Sequence, residues 1–297
     1  MAFENIELCP ICDGKKFIPF LICTDHTTSK RDFQIVQCTH CNFKVTSPRP
    51  DQSEIGEYYK SDSYISHTGG SKKLIDRIYL QARKRALKKK RLLVEQFAPH
   101  QGKLLDYGCG TGDFLNESIN AGWKGAGFEP STEARTKATQ LVKQEIYADL
   151  SQILDNQYNT ITMWHVLEHV HQLNTTIQKL SAALTDNGTI FIAVPNPMSW
   201  DAEKYSSHWA AYDVPRHLWH FSKDNMKALL EKHNLQIKAI LPMMLDSYYV
   251  SLLSEQYKSP GQSFFKRYFL GFINGLVSNW KAKRNINHSS LIYVAQK

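Results

Sequence analysis

One turn with three alternate glycines constrains the fold of this chain more than any other stretch. It lies in Leu104-Leu105-Asp106-Tyr107-Gly108-Cys109-Gly110-Thr111-Gly112-Asp113-Phe114-Leu115, and it joins a short apolar strand to a helix. Gly108 and Gly110 suit positive φ or close approach of backbone to a ligand, and Gly112 falls where the opening helix must pack tightly on the strand. The turn is built to be covered, and Cys109 reads as a small residue within it rather than a nucleophile. From Gly102 onward strand-like runs and helical patterns alternate, which argues a parallel sheet with helices on both faces. Strands are expected near residues 103–108, 123–128, 145–148, 158–164, 189–194, 235–241 and 290–296. Leu173, Ile177, Leu180 and Leu184 mark one covering helix, with Gly188 beyond its end.

Three successive strands end in an acid. Glu129 closes Trp123-Lys124-Gly125-Ala126-Gly127-Phe128-Glu129-Pro130, about where a ribose-binding carboxylate belongs, and Asp149 follows Glu145-Ile146-Tyr147-Ala148, placed for an adenine amino group. The spacing G-x-G-x-G, with Asp106 ahead of it, differs from a dinucleotide fingerprint. A carboxylate there repels a pyrophosphate and favours an ammonium group. That points to S-adenosylmethionine (SAM), which carries an amino acid, a sulfonium and an adenosine but no phosphate. Residues 104–115, with Glu129 and Asp149, resemble the class I SAM-dependent methyltransferases, and the resemblance extends over roughly residues 102–297. It implies an α/β fold with a Rossmann-like, seven-stranded, doubly wound sheet whose last strand is inserted antiparallel. It also implies SAM contacts from Asp106, Tyr107, Gly108, Cys109, Gly110, Gly112, Glu129, Pro130, Asp149, Leu150 and Trp164.

Ahead of this domain stand Cys9-Pro10-Ile11-Cys12 and Cys38-Thr39-His40-Cys41, two C-x-x-C pairs with 25 residues between them. Thiolates so spaced form two knuckles able to complete a tetrahedral Zn²⁺ site, whereas a redox pair needs only one such motif. Residues 1–50 are therefore expected to be a zinc-ribbon-like module, its structural Zn²⁺ held by Cys9, Cys12, Cys38 and Cys41, with His26 and His40 as spare ligands. Cys23 is left over. Ser47-Pro48-Arg49-Pro50 closes the module.

Residues 51–101 are expected to form an aromatic lid segment and a basic helix. Tyr58, Tyr59, Tyr64 and Ile65 precede Gly69-Gly70 and suit a lid over SAM or packing on the core. Between Lys72 and Arg91 ten Lys or Arg face one acid, Asp76, so this stretch carries +9 and the rest of the chain −1. Ile75, Tyr79, Ala82, Ala86, Leu93 and Phe97 recur at helical spacing, giving an amphipathic helix with a basic outer face. That face is either solvated or the footprint of an anionic partner such as nucleic acid.

Methyl transfer to a hydroxyl or an acidic carbon needs an aligned acceptor and a base, and histidine is the natural choice near neutral pH. After the fourth strand comes Trp164-His165-Val166-Leu167-Glu168-His169-Val170, where His165 and His169 would share a helical face and either could be the base. The run looks like the E-V-L-E-H of quinone-biosynthesis O-methyltransferases, whose acidic and histidine side chains are associated with a divalent metal. His165 replaces the first acid, and His165, Glu168 and His169 would be the corresponding group. Two insertions interrupt the alternation, near residues 195–221 and 246–289. The first follows a strand end, where an acceptor pocket belongs. Its Asp213-Val214-Pro215-Arg216-His217-Leu218-Trp219-His220-Phe221 resembles a segment of bacterial methyltransferases with N-terminal zinc modules, some acting on sugars or cell-surface precursors. Arg216 is the candidate to hold an anionic acceptor, His217 or His220 to act as base, and an Asp213–Arg216 pair anchoring the loop is the plainer reading. The second insertion aligns Phe265, Phe269, Phe272, Ile273, Leu276 and Trp280 on one helical stripe, for core or dimer packing or for a lipid-facing lid.

No N-P-P-Y or D-P-P-Y follows the fourth strand, and Pro195-Asn196-Pro197 lies on the wrong strand to supply the clamp of nucleobase amino-methyltransferases. The expected partner is a small-molecule acceptor, sugar-linked or lipid-linked and methylated on oxygen or carbon. RNA comes second and a SAM-binding scaffold without chemistry third. A polar, acidic Met1–Glu7 and the lack of a long apolar run predict a cytoplasmic protein without a transmembrane segment.

Overall fold

The structure, a computed structural model, describes residues 2–60, 73–98, 102–144 and 146–297, with backbone alone for 73–82. The expected lid residues Tyr64, Ile65, Gly69 and Gly70, the strand residue Glu145 and the side chains of Ile75, Tyr79 and Ala82 lie outside it.

The N-terminal segment contributes β1 (Phe3–Glu4), β2 (Phe17–Thr24), β3 (Asp32–Cys38), β4 (Lys44–Thr46) and β5 (Arg49–Pro50). β1 pairs antiparallel with β5, and β2, β3 and β4 form an antiparallel meander. Helix α1 (Lys73–Phe97) follows. It lays Leu87, Leu93, Val94 and Phe97 against a core cluster with Leu104, Phe191 and Ile292.

Beyond α1 run β6 (Lys103–Tyr107), α2 (Asp113–Asn120), β7 (Lys124–Phe128), α3 (Thr132–Val142), β8 (Ile146–Tyr147), β9 (Tyr158–Trp164), α4 (Leu173–Ala183) and β10 (Leu184–Pro195). Then come α5 (Trp200–Tyr205), β11 (Trp219–His220), α6 (Lys223–Lys232), β12 (Gln236–Pro242), α7 (Asp246–Lys258), α8 (Phe264–Ala282) and β13 (Ser290–Gln296). The large sheet has the order β12-β13-β10-β9-β6-β7-β8. Its β10/β9, β9/β6, β6/β7 and β7/β8 pairs are parallel, and β13 lies antiparallel between β10 and β12. All seven expected strands are present. Two buried clusters cover its two faces, so β10 and β13 read as nearly continuous apolar runs.

The insertion after β10 ends as an edge strand of the N-terminal sheet. There β11 pairs with β4, Trp219 opposite Val45 and His220 opposite Lys44. Arg49, 2% exposed, seals the junction, with its guanidinium carbon 4.1 Å from the Trp219 ring centre and Nε donating to Glu4 Oε1 at 2.7 Å. The second insertion folds into the α7–α8 hairpin. The aromatic stripe of α8 does not enter the core, as core packing would have required: Phe265, Phe269, Phe272, Leu276 and Trp280 stand exposed and Ile273 is half-buried.

Candidate active site

The three glycines have three different surroundings. A Cβ on Gly108 (φ 74°) would come within 2.5 Å of Val166 Cγ2, and one on Gly112 (φ 84°) within 3.1 Å of Ala138 in α3. Among the described residues Gly110 (φ 55°) has no neighbouring heavy atom within 4 Å of that position, so its Cα side is open to them. Glu129 fastens the turn from the end of β7, its Oε2 accepting from the Gly110 N–H and its Oε1 from the Ser131 N–H, both at 2.9 Å. Burial raises the Glu129 pKa against those two bonds. Tyr107 stacks on Phe128 with ring centres 4.4 Å apart, and the Cys109 thiol, pushed up in pKa by burial, packs over Gly127. Pro130 is exposed and Leu150 half-buried. Asp149 caps the short turn Leu150–Gln152 by accepting from the Ser151 N–H at 2.8 Å. The expected SAM contacts thus lie along the turn after β6 and just beyond the carboxyl ends of β7, β8 and β9.

Asp106, 3% exposed, accepts from Thr162 Oγ1 at 2.7 Å across the β6/β9 pair. Burial pushes its pKa up to about 7, while Thr162 and Lys90 pull the other way. Lys90 reaches in from α1, with Nζ 4.6 Å above the Trp164 ring centre, and burial lowers its pKa against Asp246 and Asp106. Trp164 Nε1 is buried with no hydrogen-bond partner among the described residues. An open glycine, a buried carboxylate and an orphaned indole N–H together fit a ligand that brings a cation and polar atoms.

On the acceptor side His165 has φ 56° and sits between two carboxylates. Its Nδ1 lies 3.2 Å from Glu168 Oε1 and its Nε2 3.0 Å from Asp246 Oδ2. Burial alone would lower its pKa, but Asp246 and Glu168 outweigh that and hold it at about 10. The two carboxylates thus favour the imidazolium form of His165 at neutral pH, which argues against it as the base. Nor does it share a helical face with His169. His165 has a left-handed backbone and lies outside the short 3-10 turn Leu167–His169 that carries His169.

His169 Nδ1 donates to the Arg216 carbonyl at 3.0 Å and also lies 2.9 Å from Tyr59 Oη. His217 Nδ1 donates to the Ala211 carbonyl at 2.9 Å. A carbonyl only accepts, so each Nδ1 carries a hydrogen, and His217 Nε2 lies 3.8 Å from Asp213 Oδ2. The rings meet edge to face, with centres 4.5 Å apart. Ligand atoms of Glu168, His169 and His217 lie within 4.8 Å of one another, and Glu168 Oε2 is buried without a partner among the described residues. The carboxylate and two imidazoles expected from His165, Glu168 and His169 thus come from Glu168, His169 and His217 instead. Burial and His217 push the His169 pKa down to about 4. Burial works to raise that of Glu168, yet His165 and the other two imidazoles keep it lowered.

Two further candidates are occupied structurally. Arg216, 4% exposed, donates Nε to Asp213 Oδ2 at 2.9 Å, NH2 to Asp213 Oδ1 and NH1 to the Tyr58 carbonyl at 3.0 Å, with Asp25 at 3.7 Å. Its fork anchors the insertion to the N-terminal segment, the plainer of the two expected roles. His220 is buried, with Nε2 3.1 Å from Thr46 Oγ1, and Thr46 in turn donates to the His217 carbonyl at 2.7 Å. Burial drives its pKa well below the ordinary value, and its bond to Thr46 ties the ring to β4. Lys90, Thr162 and Asp246 were not expected at the site, and Tyr59, from the expected aromatic lid segment, reaches His169. Of the first three only Lys90 carried a signal, since it falls on the apolar stripe through Ala86, Leu93 and Phe97.

The four motif cysteines converge, with Cys9 and Cys41 Sγ 3.5 Å apart and Cys12 and Cys38 Sγ 3.7 Å apart. Two matching knuckles present them. The Asp13 N–H donates to Cys9 O and the Asn42 N–H to Cys38 O, while the Cys9 and Cys38 N–H groups donate to Gly14 O and Phe43 O. Neither spare histidine joins this group among the described residues, and His26 stacks on Tyr257 instead.

A family model described as a methyltransferase domain matches residues 79–240, more than half of the chain. Among curated proteins the chain is 25% identical over 168 residues to the mitochondrial ubiquinone biosynthesis O-methyltransferase of Bos taurus and 24% identical over 168 residues to that of Homo sapiens. Each match covers 49% of this chain and 44% of the relative, so it spans less than half the length of those proteins. Among solved structures, magnesium protoporphyrin IX methyltransferase from Synechocystis PCC 6803 with bound SAH superposes with a TM-score of 0.52 at 14% identity, over 83% of this chain and 100% of that one. A mycolic acid cyclopropane synthase complexed with SAH gives 0.51 at 14% identity, over 72% and 85%. These two are likenesses of fold. By its methyltransferase domain the chain belongs to the class I SAM-dependent methyltransferases.

Proposed function

We propose that this chain methylates an oxygen or carbon of a small-molecule acceptor, one linked to a sugar or a lipid, with His169 taking the acceptor's proton. The observation that carries this reading is the cluster of Glu168, His169 and His217 next to the end of β9, whose ligand atoms lie within 4.8 Å of one another, with each imidazole Nδ1 on a carbonyl and Glu168 Oε2 unpartnered among the described residues. SAM would supply an electrophilic methyl group on a sulfonium. Asp106 would hold its ammonium, Glu129 its ribose and Asp149 its adenine amino group, over the open side of Gly110. A proton received by His169 Nε2 would be stabilised by the Glu168 carboxylate, which stays ionised through its imidazole neighbours. A divalent cation at the same three ligand atoms is the competing reading. We further infer that Cys9, Cys12, Cys38 and Cys41 hold a structural Zn²⁺. A tetrahedron with Zn–S bonds of about 2.3 Å has edges of about 3.8 Å, close to the 3.5 and 3.7 Å found.

The RNA reading has less support. Arg83 pairs with Asp113 at 2.7 Å, Arg91 with Glu95 and Glu117 at 2.7 and 3.1 Å, and Lys90 faces Trp164. Three of the α1 cations are thus engaged within this chain, while Lys84, Arg85, Lys88 and Lys89 are exposed. Calorimetry with SAM and S-adenosylhomocysteine tests the cofactor reading, and no binding to well-folded protein refutes it. Mass spectrometry of metabolites methylated by the purified chain tests the acceptor class. Activity abolished by chelation and restored by a divalent cation would replace the His169 base with a metal.

A further inference from the structure

We propose that the exposed face of α8 docks on an anionic phospholipid surface. Helix α8 is two-sided. Gly271, Asn274, Gly275, Ser278 and Asn279 are buried, and Cβ atoms on Gly271 and Gly275 would come within 2.8 Å of Leu252 and Tyr248 Cα, so the glycines let α7 lie close. The opposite side carries Phe265 (85% exposed), Phe269 (64%), Phe272, Leu276 and Trp280 (62%). At the start of α7, Leu245 and Met244 are also exposed, and the Met244 carbonyl accepts from Asn279 Nδ2 at 2.9 Å, which sets them beside the end of α8. An apolar face of this extent on water is unfavourable and marks an interaction surface.

Charge selects the occupant. Residues 256–297 contain no Asp or Glu, while Lys258, Lys266, Arg267, Lys281, Lys283 and Arg284 lie around the aromatic helix. Aromatic rings flanked by Lys and Arg suit the headgroup level of a membrane carrying anionic lipid, where the rings enter the acyl boundary and the cations meet phosphate. Two copies packed on this face would instead bring like charges together. No helix among the described residues is long and apolar enough to cross a membrane, so the contact is with its surface. The same hairpin begins with Asp246, which bonds His165, so docking would bring the acceptor side to the lipid boundary.

The test is co-sedimentation of the full chain with vesicles of phosphatidylcholine alone and of phosphatidylcholine mixed equally with phosphatidylglycerol. The mixed vesicles should bind it, the affinity should fall with added salt, and Phe265→Ser with Phe269→Ser should weaken binding at least ~10-fold. Both side chains are exposed, so thermal unfolding should be unchanged, and Lys266→Glu with Arg267→Glu supplies an independent loss. Absence of binding to either vesicle, equal binding by wild type and the serine variant, or equal binding to neutral vesicles overturns the proposal. So does a dimer that the serine variant abolishes, which would assign the face to a second copy. None of these readouts depends on SAM binding or turnover.

Discussion

Asp246 Oδ2 lies 3.0 Å from His165 Nε2, joining the first residue of the α7–α8 hairpin to the end of β9. Burial opposes the charge on His165, but Asp246 and Glu168 hold its pKa at about 10, above about 6.5 for a free imidazole. Both folded and unfolded chains carry the proton below the lower value, so the ion pair's contribution is complete there. It declines through the interval and is gone once pH passes about 10. Asp246→Asn should lower the His165 pKa by at least ~1 unit, read from imidazole resonances assigned with His165→Gln. A wild-type His165 that is neutral at neutral pH would contradict the assignment.

Gly110 and Gly108 should fail in different ways. Alanine at Gly110 meets no atom within 4 Å, so it should cost only the left-handed strain of about 1–2 kcal/mol. Its methyl would fill the ligand side of the turn, and S-adenosylhomocysteine binding should weaken at least ~10-fold. Alanine at Gly108 meets Val166 Cγ2 at 2.5 Å as well as the strain, so roughly 2–5 kcal/mol of stability should be lost. Thermal unfolding and calorimetry separate the two effects, and unchanged ligand affinity in a folded Gly110→Ala protein would remove the open glycine from the cofactor site.

The strand ends and the glycine turn were readable because local apolar runs and φ requirements specify them. The strand at residues 158–164 was expected over the residues it occupies, and the antiparallel last strand followed from the methyltransferase resemblance. Side-chain commitments were not readable, because they depend on partners far along the chain. Arg216 looks like a ligand-binding arginine until Tyr58 and Asp25 close on it, and His165 looks like a base until Asp246, 81 positions later, charges it. The β4/β11 pairing joins residues too distant for any periodicity to link. Lys90 is the informative exception, since a cation on an apolar helix stripe must find a buried partner.

His169 is the group on which the proposed proton transfer rests. With burial and His217 holding its pKa at about 4, it stays neutral as pH falls through about 6.5, where a free imidazole would protonate. The acidic limb of kcat/KM should therefore lie well below that value. His169→Ala should lower kcat roughly 10²–10⁴-fold while leaving the Kd for S-adenosylhomocysteine unchanged, and Glu168→Gln should depress kcat without restoring an acidic limb near neutrality. A limb titrating at the free-imidazole value, or full activity in His169→Ala, would move the base elsewhere.

Removing zinc should reach the acceptor side through one strand. The four cysteines fix the knuckles that frame the β2–β4 sheet, and β4 carries Thr46, which donates to the His217 carbonyl and lies 3.1 Å from His220 Nε2. β4 also pairs with β11. A structural Zn²⁺ contributes about 10–16 kcal/mol to ordering its ligands, so its loss would free β4 and with it the position of the His217 ring. The glycine turn, Asp106 and Glu129 hang instead on β6, β7 and β9, which do not pair with the N-terminal sheet. Cys38→Ser should therefore lose the bound zinc measured by mass spectrometry and raise the KM for the acceptor. The Kd for S-adenosylhomocysteine should stay within about twofold, a change below ~0.5 kcal/mol. Equal loss of both affinities would mean that the N-terminal sheet supports the whole fold, and zinc-free wild type with full activity would end the structural reading of the four cysteines.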